Sequence, residues 1–287
     1  MSKPLHAAYR AYQGVLRAAS YLMDFSPPEL IEGPGAIGRL PAFIKGKGFG
    51  RVLVVTDKGL RSLGLLDGFL AGLEASGVAY AIYDGVQANP TIANIEEALA
   101  LYRAERCEAL VAFGGGSPMD CAKAAGARFA NPGKTVRQLR GLLKVTRKPP
   151  VLFAVPTTAG TGSETTVAAV VTDPETHDKY AISDPKLLPR YAVLDPELTL
   201  KLPPRITAPT GMDALTHAVE AYVGRANTRE TKARAEEAVR LVFAWLEKAY
   251  RDGSDLEARG AMLRASFDGG FAFTRAYVGY VHVIAHK

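Results

Sequence analysis

Short apolar runs alternate with helix-like segments over the middle of this sequence, and this alternation restricts the fold more than any other feature. The runs are continuous and rich in β-branched residues, as in strands that are buried on both faces of a parallel sheet. The expected strands are 52–55, 79–83, 110–113, 151–155, 168–171 and 192–194, and helices are expected at 60–75 and 92–106. Such alternation predicts βαβ units, and hence a Rossmann-like α/β fold with a doubly wound parallel sheet.

The pattern changes after Asp195-Pro196, because from Pro203 onward the apolar residues recur at helical spacing. Segments 206–223, 229–251 and 256–277 carry apolar residues on one side and charges on the other. We therefore expect an α/β domain over residues 29–200, followed by an all-helical domain over residues 201–287.

Residues 1–28 differ from both of these regions and are expected to form an N-terminal helical extension. The first 23 residues contain Lys3, Arg10 and Arg17 but no acid, and their apolar side chains recur at roughly helical spacing. Two interpretations are open: an amphipathic helix packed on the body of the protein, or a transit peptide or surface-binding helix. We favour the first, because the segment has few serines and little positive charge.

The composition excludes several classes of function. Of the 287 residues, 48% are hydrophobic and 22% are charged, as in a globular protein with a full core. The net charge of +6 is scattered along the chain, so nucleic acid is not an expected partner, whereas an anionic small ligand is. Cys107 and Cys121 cannot make a disulfide framework and suit the reducing cytoplasm. No apolar run reaches about 18 residues, so no membrane span is expected.

A glycine-rich turn, Gly114-Gly115-Gly116-Ser117, directly follows the third expected strand. Ser117 is expected to cap the next helix, and Pro118 suits the first turn of that helix. Glycines let backbone N–H groups come close to a ligand, and a helix N-terminus attracts an anion. The turn is neither a GxGxxG fingerprint nor a Walker A loop, and a turn with nothing bound is the alternative.

A second loop with ligand-binding character, 156–166, follows the expected strand at 151–155. Its glycines, its many Thr and Ser hydroxyls and its one carboxylate are suited to hydrogen-bond phosphate and ribose oxygens. Lys179, expected in a turn-rich segment farther along, is long enough to reach a phosphate as a point charge. Both features again favour an anionic ligand.

Two pairs of potential metal ligands, Asp213 with His217 and His282 with His286, are each spaced four residues apart. Residues four apart share one face of a helix, so two such helices facing each other would make a metal cage. A carboxylate with imidazoles suits Fe(II) or Zn(II) better than Mg or Ca. The alternatives are an ordinary Asp–His pair on a helix surface and histidines that are satisfied in the core.

Taken together, these motifs resemble the iron-dependent (group III) alcohol dehydrogenases. The residues that carry the resemblance are 114–123, 156–164, 195–199, 211–222 and 281–286. The resemblance implies a dinucleotide-binding domain over 29–200, a helical metal and substrate domain over 201–287, and an active site in the cleft between them. It also implies a homo-oligomer and a metal-dependent, NAD-linked alcohol dehydrogenase or aldehyde reductase, which transfers hydride between a small primary alcohol or diol and the nicotinamide.

The same resemblance assigns individual residues. Asp57 would receive the adenosine ribose hydroxyls, which favours NAD over NADP because a carboxylate repels a 2′-phosphate. Asp213, His217 and His282 match metal ligands for Fe(II), with Zn(II) as the alternative, and His286 matches a catalytic pocket histidine that would relay the hydroxyl proton. The other residues implied to surround the dinucleotide are Asn89, Gly115, Gly116, Ser117, Asp120, Thr157, Thr158, Thr161, Thr166 and Lys179.

One departure from the family pattern concerns the C-terminus. The fourth metal ligand of the family, a histidine, would fall after Lys287, as would further helices, so we expect a C-terminally truncated chain with an incomplete helical domain. Three interpretations remain: a working dehydrogenase, a catalytically impaired NAD-binding fragment or pseudoenzyme, and an enzyme like the glycerol dehydrogenases or dehydroquinate synthases, which share the architecture. Residues 195–199 and 211–217 favour the alcohol dehydrogenases over the last of these.

Overall fold

A six-stranded parallel sheet forms the centre of the first part of the chain. The computed structural model describes residues 25–276 and 279–285. Its strands are β1 (Glu29–Glu32), β2 (Arg51–Val55), β3 (Ala79–Tyr83), β4 (Ala109–Gly114), β5 (Gly141–Leu142), β6 (Val151–Pro156), β7 (Ala168–Thr172), β8 (Lys179–Ser183) and β9 (Tyr191–Leu194). The large sheet has the order β1-β9-β6-β4-β2-β3, and all its pairs are parallel. The predicted Rossmann-like fold is thereby confirmed.

Both faces of this sheet are buried, as the continuous apolar runs predicted. Along β2, Leu53 and Val55 belong to one hydrophobic cluster, and Val52 and Val54 belong to another on the opposite face. The register sets Gly114 beside Pro156, so the chain leaves β4 and β6 at the same edge of the sheet. Loops that follow the carboxyl ends of neighbouring parallel strands are where such sheets bind ligands.

The helices on this sheet are α1 (Ala36–Gly46), α2 (Lys58–Ser62), α3 (Asp67–Ala75), α4 (Ile92–Ala104) and α5 (Gly116–Ala130). The expectation of one helix over 60–75 is wrong, because the chain breaks into α2 and α3. Gly64 between them has φ of 65°, a left-handed conformation that ends a helix and that glycine adopts without strain. Neither β1 nor α1 was predicted from the sequence.

A second, three-stranded sheet has the order β5-β8-β7. The placement of Lys179 in a turn-rich segment is therefore wrong, because it opens β8, which pairs antiparallel with β7. Burial alternates along β8: Tyr180 and Ile182 are buried in the core, while Lys179 is exposed. Only two of the five residues thus point inward, which is too few to make an apolar run.

The second part of the described chain is helical and consists of α6 (Pro204–Val223), α7 (Arg229–Arg251), α8 (Leu256–Ala276) and α9 (Tyr280–Ala285). Where α6, α7 and α8 meet, the buried side chains are mostly alanines, such as Ala218, Ala235 and Ala272, so the helices approach closely. Thr228 starts α7 with a capping box, since its side chain and that of Thr231 each accept a bond from the other's backbone N–H. No helix in the described part of the chain is long and apolar enough to cross a membrane.

The loop after β6 is fixed to α5 by the buried ammonium group of Lys123. Its Nζ lies within 3.0 Å of five oxygens, which belong to Ser163, Thr166 and Ala168. Asp120, one turn before Lys123, accepts hydrogen bonds from Ser163 Oγ at 2.8 Å and from the N–H of Val170 at 3.0 Å. Burial lowers the pKa of Lys123 to about 8, against the attraction of Asp120.

The same loop is fixed to α8 on its other side. A Cβ on Gly270 would lie 2.8 Å from the Cα of Gly162 and 2.5 Å from Thr165 Oγ1, so the two backbones meet without an intervening side chain. Ser266 Oγ accepts a bond from the N–H of Gly162 at 3.2 Å, and Thr274 Oγ1 donates to the carbonyl of Thr165 at 3.1 Å. This loop therefore joins the sheet to the helical part.

Two glycines of α8 offer a matched test of that junction. A Cβ at Gly260 would have its nearest heavy atom, on Pro196, 3.8 Å away, whereas a Cβ at Gly270 would overlap the loop. We expect Gly270→Ala to lower the free energy of unfolding by about 1–3 kcal/mol through overpacking. Gly260→Ala should raise it by up to about 1 kcal/mol, because alanine is the better helix former. Urea unfolding measures both, and equal stabilities would contradict the contact.

Glu164 is a buried carboxylate in the same loop, with 1% of its surface exposed. Neither of its carboxylate oxygens has a hydrogen-bond partner among the residues that the structure describes. Burial raises its pKa from 4.5 to about 7, against the opposing charge of Lys123. Between those two pH values the native state keeps a proton on Glu164 that the unfolded state has lost.

The contribution of Glu164 to the free energy of unfolding should therefore fall as pH rises from 4.5 to 7, because the unfolded state binds fewer protons at this group there. The shift corresponds to a total of up to about 3 kcal/mol. Glu164→Gln keeps the size of the side chain but cannot titrate, so we expect the free energy of unfolding of the unmutated protein, minus that of the variant, to fall across this window in denaturant titrations. Glu236→Gln, on the exposed side of α7, controls for the loss of one carboxylate. A difference that stays constant across the window would rule out a proton held on Glu164.

Candidate functional site

Asp213, His217 and His282 come together on one side of the helical part. Asp213 and His217 lie one turn apart on α6, and His282 lies on α9. Each residue offers one potential ligand atom, and these three atoms all lie within 4.8 Å of one another. Asp213 Oδ1 is 3.9 Å from His217 Nε2 and 3.6 Å from His282 Nε2. A carboxylate and two imidazoles converging in this way are a donor set that fits Fe(II) or Zn(II).

The two imidazoles are buried, and their pKa values move in opposite directions. Burial lowers the pKa of His217 to about 4, although Asp213 opposes that shift, so His217 is neutral near pH 7, as a metal ligand must be. The carboxylate of Asp213 accepts a hydrogen bond from the protonated ring of His282 and so raises the pKa of His282, against the effect of burial. The two rings stack with their centroids 4.4 Å apart.

Two further residues orient these histidines and were not identified from the sequence. Phe273 of α8 stacks on His217 with ring centroids 4.2 Å apart. Glu220 accepts a hydrogen bond from His282 Nδ1 at 2.6 Å. Spacing alone could have suggested Glu220, because it follows Asp213 by seven residues and His217 by three, on the same face of α6.

A cavity of about 530 Å³ connects these residues to the glycine-rich turn. Its walls include the three potential metal ligands, Phe273, and the first turn of α5. The expected dinucleotide-binding residues that line it are Asn89, Gly116, Ser117, Asp120, Thr161, Thr166 and Lys179. Leu142 and Leu143, each 48% exposed, form another part of the wall.

The other expected dinucleotide-binding residues lie outside that lining, at the carboxyl ends of the strands. Asp57 follows β2, and its Oδ1 accepts a bond from the N–H of Leu60 at 2.9 Å, which caps α2. Thr158 follows β6 and contacts the turn, since a Cβ on Gly115 would lie 3.2 Å from its Oγ1. Thr157 is buried beside the turn.

The turn itself differs from the expectation in one respect: Ser117 does not cap α5. The helix begins at Gly116 with Gly115 as its N-cap, and Ser117 Oγ accepts instead from the N–H of Asn89 at 3.1 Å. Asn89 has φ of 58°, a left-handed conformation that asparagine tolerates better than most residues. A Cβ on Gly116 would come within 3.0 Å of Thr161 Cγ2, so glycine lets the two loops that face the cavity touch.

Two expectations cannot be placed in this geometry. His286, expected as the catalytic pocket histidine, lies outside the described residues, as does the segment 1–24 of the expected N-terminal helical extension. The first described residue, Phe25, is part of the cavity lining. The carboxylate of Asp120 also faces the cavity, but it already accepts bonds from Ser163 and Val170.

Known proteins match this chain over nearly its whole length. A family model described as iron-containing alcohol dehydrogenase matches residues 27–196, and one for the C-terminal part of the Fe-containing alcohol dehydrogenase family matches residues 207–287. Alcohol dehydrogenase 4 of Schizosaccharomyces pombe is 42% identical over 270 residues, which are 94% of this chain and 63% of that protein. The chain thus spans less than two thirds of that relative's length.

Solved structures agree with these sequence matches. The crystal structure of a 1,3-propanediol oxidoreductase superimposes with a TM-score of 0.88 at 42% identity, covering 92% of this chain and 69% of that one. A sulfoacetaldehyde reductase from Bifidobacterium kashiwanohense, in complex with NAD+, gives a TM-score of 0.83 at 30% identity, covering 91% and 69%. The chain belongs to the iron-containing alcohol dehydrogenase family.

Proposed function

We propose that this protein is a metal-dependent, NAD-linked alcohol dehydrogenase or aldehyde reductase that acts on a small primary alcohol or diol. The observation that carries the proposal is that one cavity is lined both by the Asp213, His217 and His282 triad and by the glycine-rich turn. A dinucleotide that lay along the turn would extend its reactive end toward the triad. Hydride transfer needs this arrangement, because cofactor and substrate have to meet in one water-poor space.

Asp213, His217 and His282 are the residues that would hold the metal. When bound, Fe(II) or Zn(II) supplies Lewis acidity to the oxygen of the alcohol or aldehyde. His217 is already neutral at physiological pH because it is buried, so it needs no deprotonation to act as a ligand. Phe273, packed against His217, gives this end of the cavity an apolar wall that helps to exclude water.

The dinucleotide would lie across the carboxyl ends of β2, β4 and β6. The N-terminus of α5 at Gly116 would attract the pyrophosphate, and Thr161, Thr166 and Lys179, which line the same cavity, would supply hydrogen bonds. Asp57 would accept the ribose hydroxyls, which is the basis for proposing NAD rather than NADP. The complex of the related sulfoacetaldehyde reductase with NAD+ supports the same cofactor here.

Substrate size, assembly and location are further parts of the proposal. The names of the related proteins, alcohol dehydrogenase, 1,3-propanediol oxidoreductase and sulfoacetaldehyde reductase, all indicate small substrates. His286 is proposed to carry the hydroxyl proton. Exposed apolar side chains such as Val223 and Phe243 support association into a homo-oligomer, and the buried thiols of Cys107 and Cys121 suit the cytoplasm.

Metal content and turnover together test the proposal. We expect close to one metal ion per chain after anaerobic purification, and reduction of NAD+ with a panel of primary alcohols and diols. His217→Ala should weaken metal binding by about 100-fold or more and abolish turnover, since loss of a ligand costs more than loss of its hydrogen-bond partner. His177→Asn, which removes an exposed imidazole from the turn between β7 and β8, is the matched control. NAD+ binding without metal and without turnover would instead favour a catalytically impaired NAD-binding chain.

The choice between NAD and NADP rests on one charge and can be tested separately. Asp57→Asn removes the negative charge but keeps an oxygen that can accept from Leu60, because asparagine is as good a helix cap as aspartate. We expect the ratio of kcat/KM for NADP+ to that for NAD+ to rise roughly tenfold, which is about 1.4 kcal/mol. Thermal unfolding checks that α2 is still capped. An unchanged ratio would place the adenosine ribose elsewhere.

A further inference from the structure

Glu220 is a buried carboxylate of α6 that binds the start of α9 at three points. Its oxygens accept hydrogen bonds from the N–H of Gly279 at 2.8 Å, the N–H of Val281 at 2.6 Å and His282 Nδ1 at 2.6 Å. All three donors belong to a stretch of four residues. One side chain on α6 therefore holds both the backbone and the imidazole of this segment.

Glycine at position 279 makes this close approach possible. A Cβ at Gly279 would lie 2.8 Å from Glu220 Oε1 and 2.9 Å from its carboxyl carbon, too close for any other residue without a shift. His282 lies in the first turn of the helix that follows, Tyr280–Ala285, where backbone N–H groups have no partner within the helix. The position of His282 thus depends on what fixes the start of α9, and Glu220 bonds that start directly.

The chemistry of the bond also fixes the tautomer of His282. An ionised carboxylate can only accept hydrogen bonds, so the imidazole nitrogen that meets it, Nδ1, has to carry a proton. In the neutral ring the lone pair is then on Nε2, the nitrogen that faces Asp213 at 3.6 Å. Histidines that bind metals are commonly oriented by a carboxylate in this way, and the carboxylate also makes the ring a stronger ligand.

We infer that Glu220 is the positioning residue of the proposed metal site: it holds the start of α9 in place and keeps His282 in the tautomer whose Nε2 can bind the metal. This inference rests on the proposed function, because it assigns a role within the same site. Glu220 itself offers no atom to the metal, since both its oxygens are engaged with the 279–282 segment. Its effect is on the geometry and the donor strength of His282.

Glu220→Gln tests the inference, because glutamine has the same shape but carries an amide N–H₂ in place of one oxygen. Where that N–H₂ group faces Nδ1, the proton of His282 moves to Nε2, the nitrogen that would bind the metal. We expect affinity for Co(II), followed by its visible absorption, to fall about 10–100-fold. In the metal-free protein, at a pH high enough to keep the His282 ring neutral, ¹⁵N NMR of the imidazoles should show His282 changing from the Nδ1–H to the Nε2–H tautomer, a change that loss of stability alone would not cause.

A control variant and a second test variant separate positioning from folding. Asp268→Asn alters another buried carboxylate, which binds Arg234 and Arg264 in the helical part, and should lower stability without changing Co(II) affinity. Gly279→Ala leaves Glu220 intact but pushes the backbone away from it, so it should weaken Co(II) binding even if Glu220→Gln does not fold.

The outcomes distinguish this inference from the proposed function. Unchanged Co(II) affinity in Glu220→Gln, or an Nε2–H tautomer of His282 in the unmutated protein, would overturn the role of Glu220 while leaving the dehydrogenase proposal standing. If the unmutated protein takes up no Co(II), the proposed function fails, and the metal-binding half of this inference fails with it. The tautomer measurement in metal-free protein would still decide whether Glu220 controls His282.

Discussion

The contact between Gly162 and Gly270 determines how the sheet and the helical part meet. Here the loop after β6 touches α8 backbone to backbone, and on its other side a Cβ on Gly160 would overlap Thr210 of α6. Because no side chain separates these backbones, the distance between the sheet and the helices is set by the chain itself. This packing consequently sets the distance between the potential metal ligands on α6 and the glycine-rich turn at the start of α5.

Two buried charged side chains also hold segments of the chain in place, and each forms hydrogen bonds to several groups. Lys123 donates hydrogen bonds to backbone and side-chain oxygens of the loop after β6, and Glu220 accepts hydrogen bonds from three donors at the start of α9. A buried charge is costly unless it is well bonded, and multiple hydrogen bonds offset that cost. Apolar side chains could fill the same space, but they would fix the orientation of the loop and of α9 less strictly, because apolar contacts are not directional.

The sequence predicts the central strands well, because burial on both faces leaves a continuous apolar run that needs no knowledge of the partner strands. It fails for β1, where Glu29 and Glu32 flank only two apolar residues, and for β8, where only one face is buried. The break between α2 and α3 is also missed, since a single glycine inside a helical pattern is often tolerated. These failures share a cause: the deciding interactions are tertiary or depend on one backbone angle.

The residues of the candidate site can likewise be predicted from the sequence only in part. Asp213, His217 and His282 can be grouped from spacing and from the resemblance to the family, since their chemistry is visible in the residue types. Spacing can place Glu220 on the same face of α6 as Asp213 and His217, but it cannot show the partnership with His282, which spans 62 positions in the sequence. The role of Ser117 is missed for a similar reason, because its partner Asn89 approaches from a different loop.

Asp213, His217 and Glu220 all lie on one face of α6, so two potential ligands and the carboxylate that directs the third are parts of a single rigid body. A small slide or rotation of α6 would carry all three together, and α9 with them through Glu220. The mutual arrangement of the donors would survive such a movement, while their distance from the dinucleotide end of the cavity would change. Substitutions in the packing around α6 would therefore change the distance between the potential metal ligands and the glycine-rich turn, while the arrangement of residues at each end of the cavity stays the same.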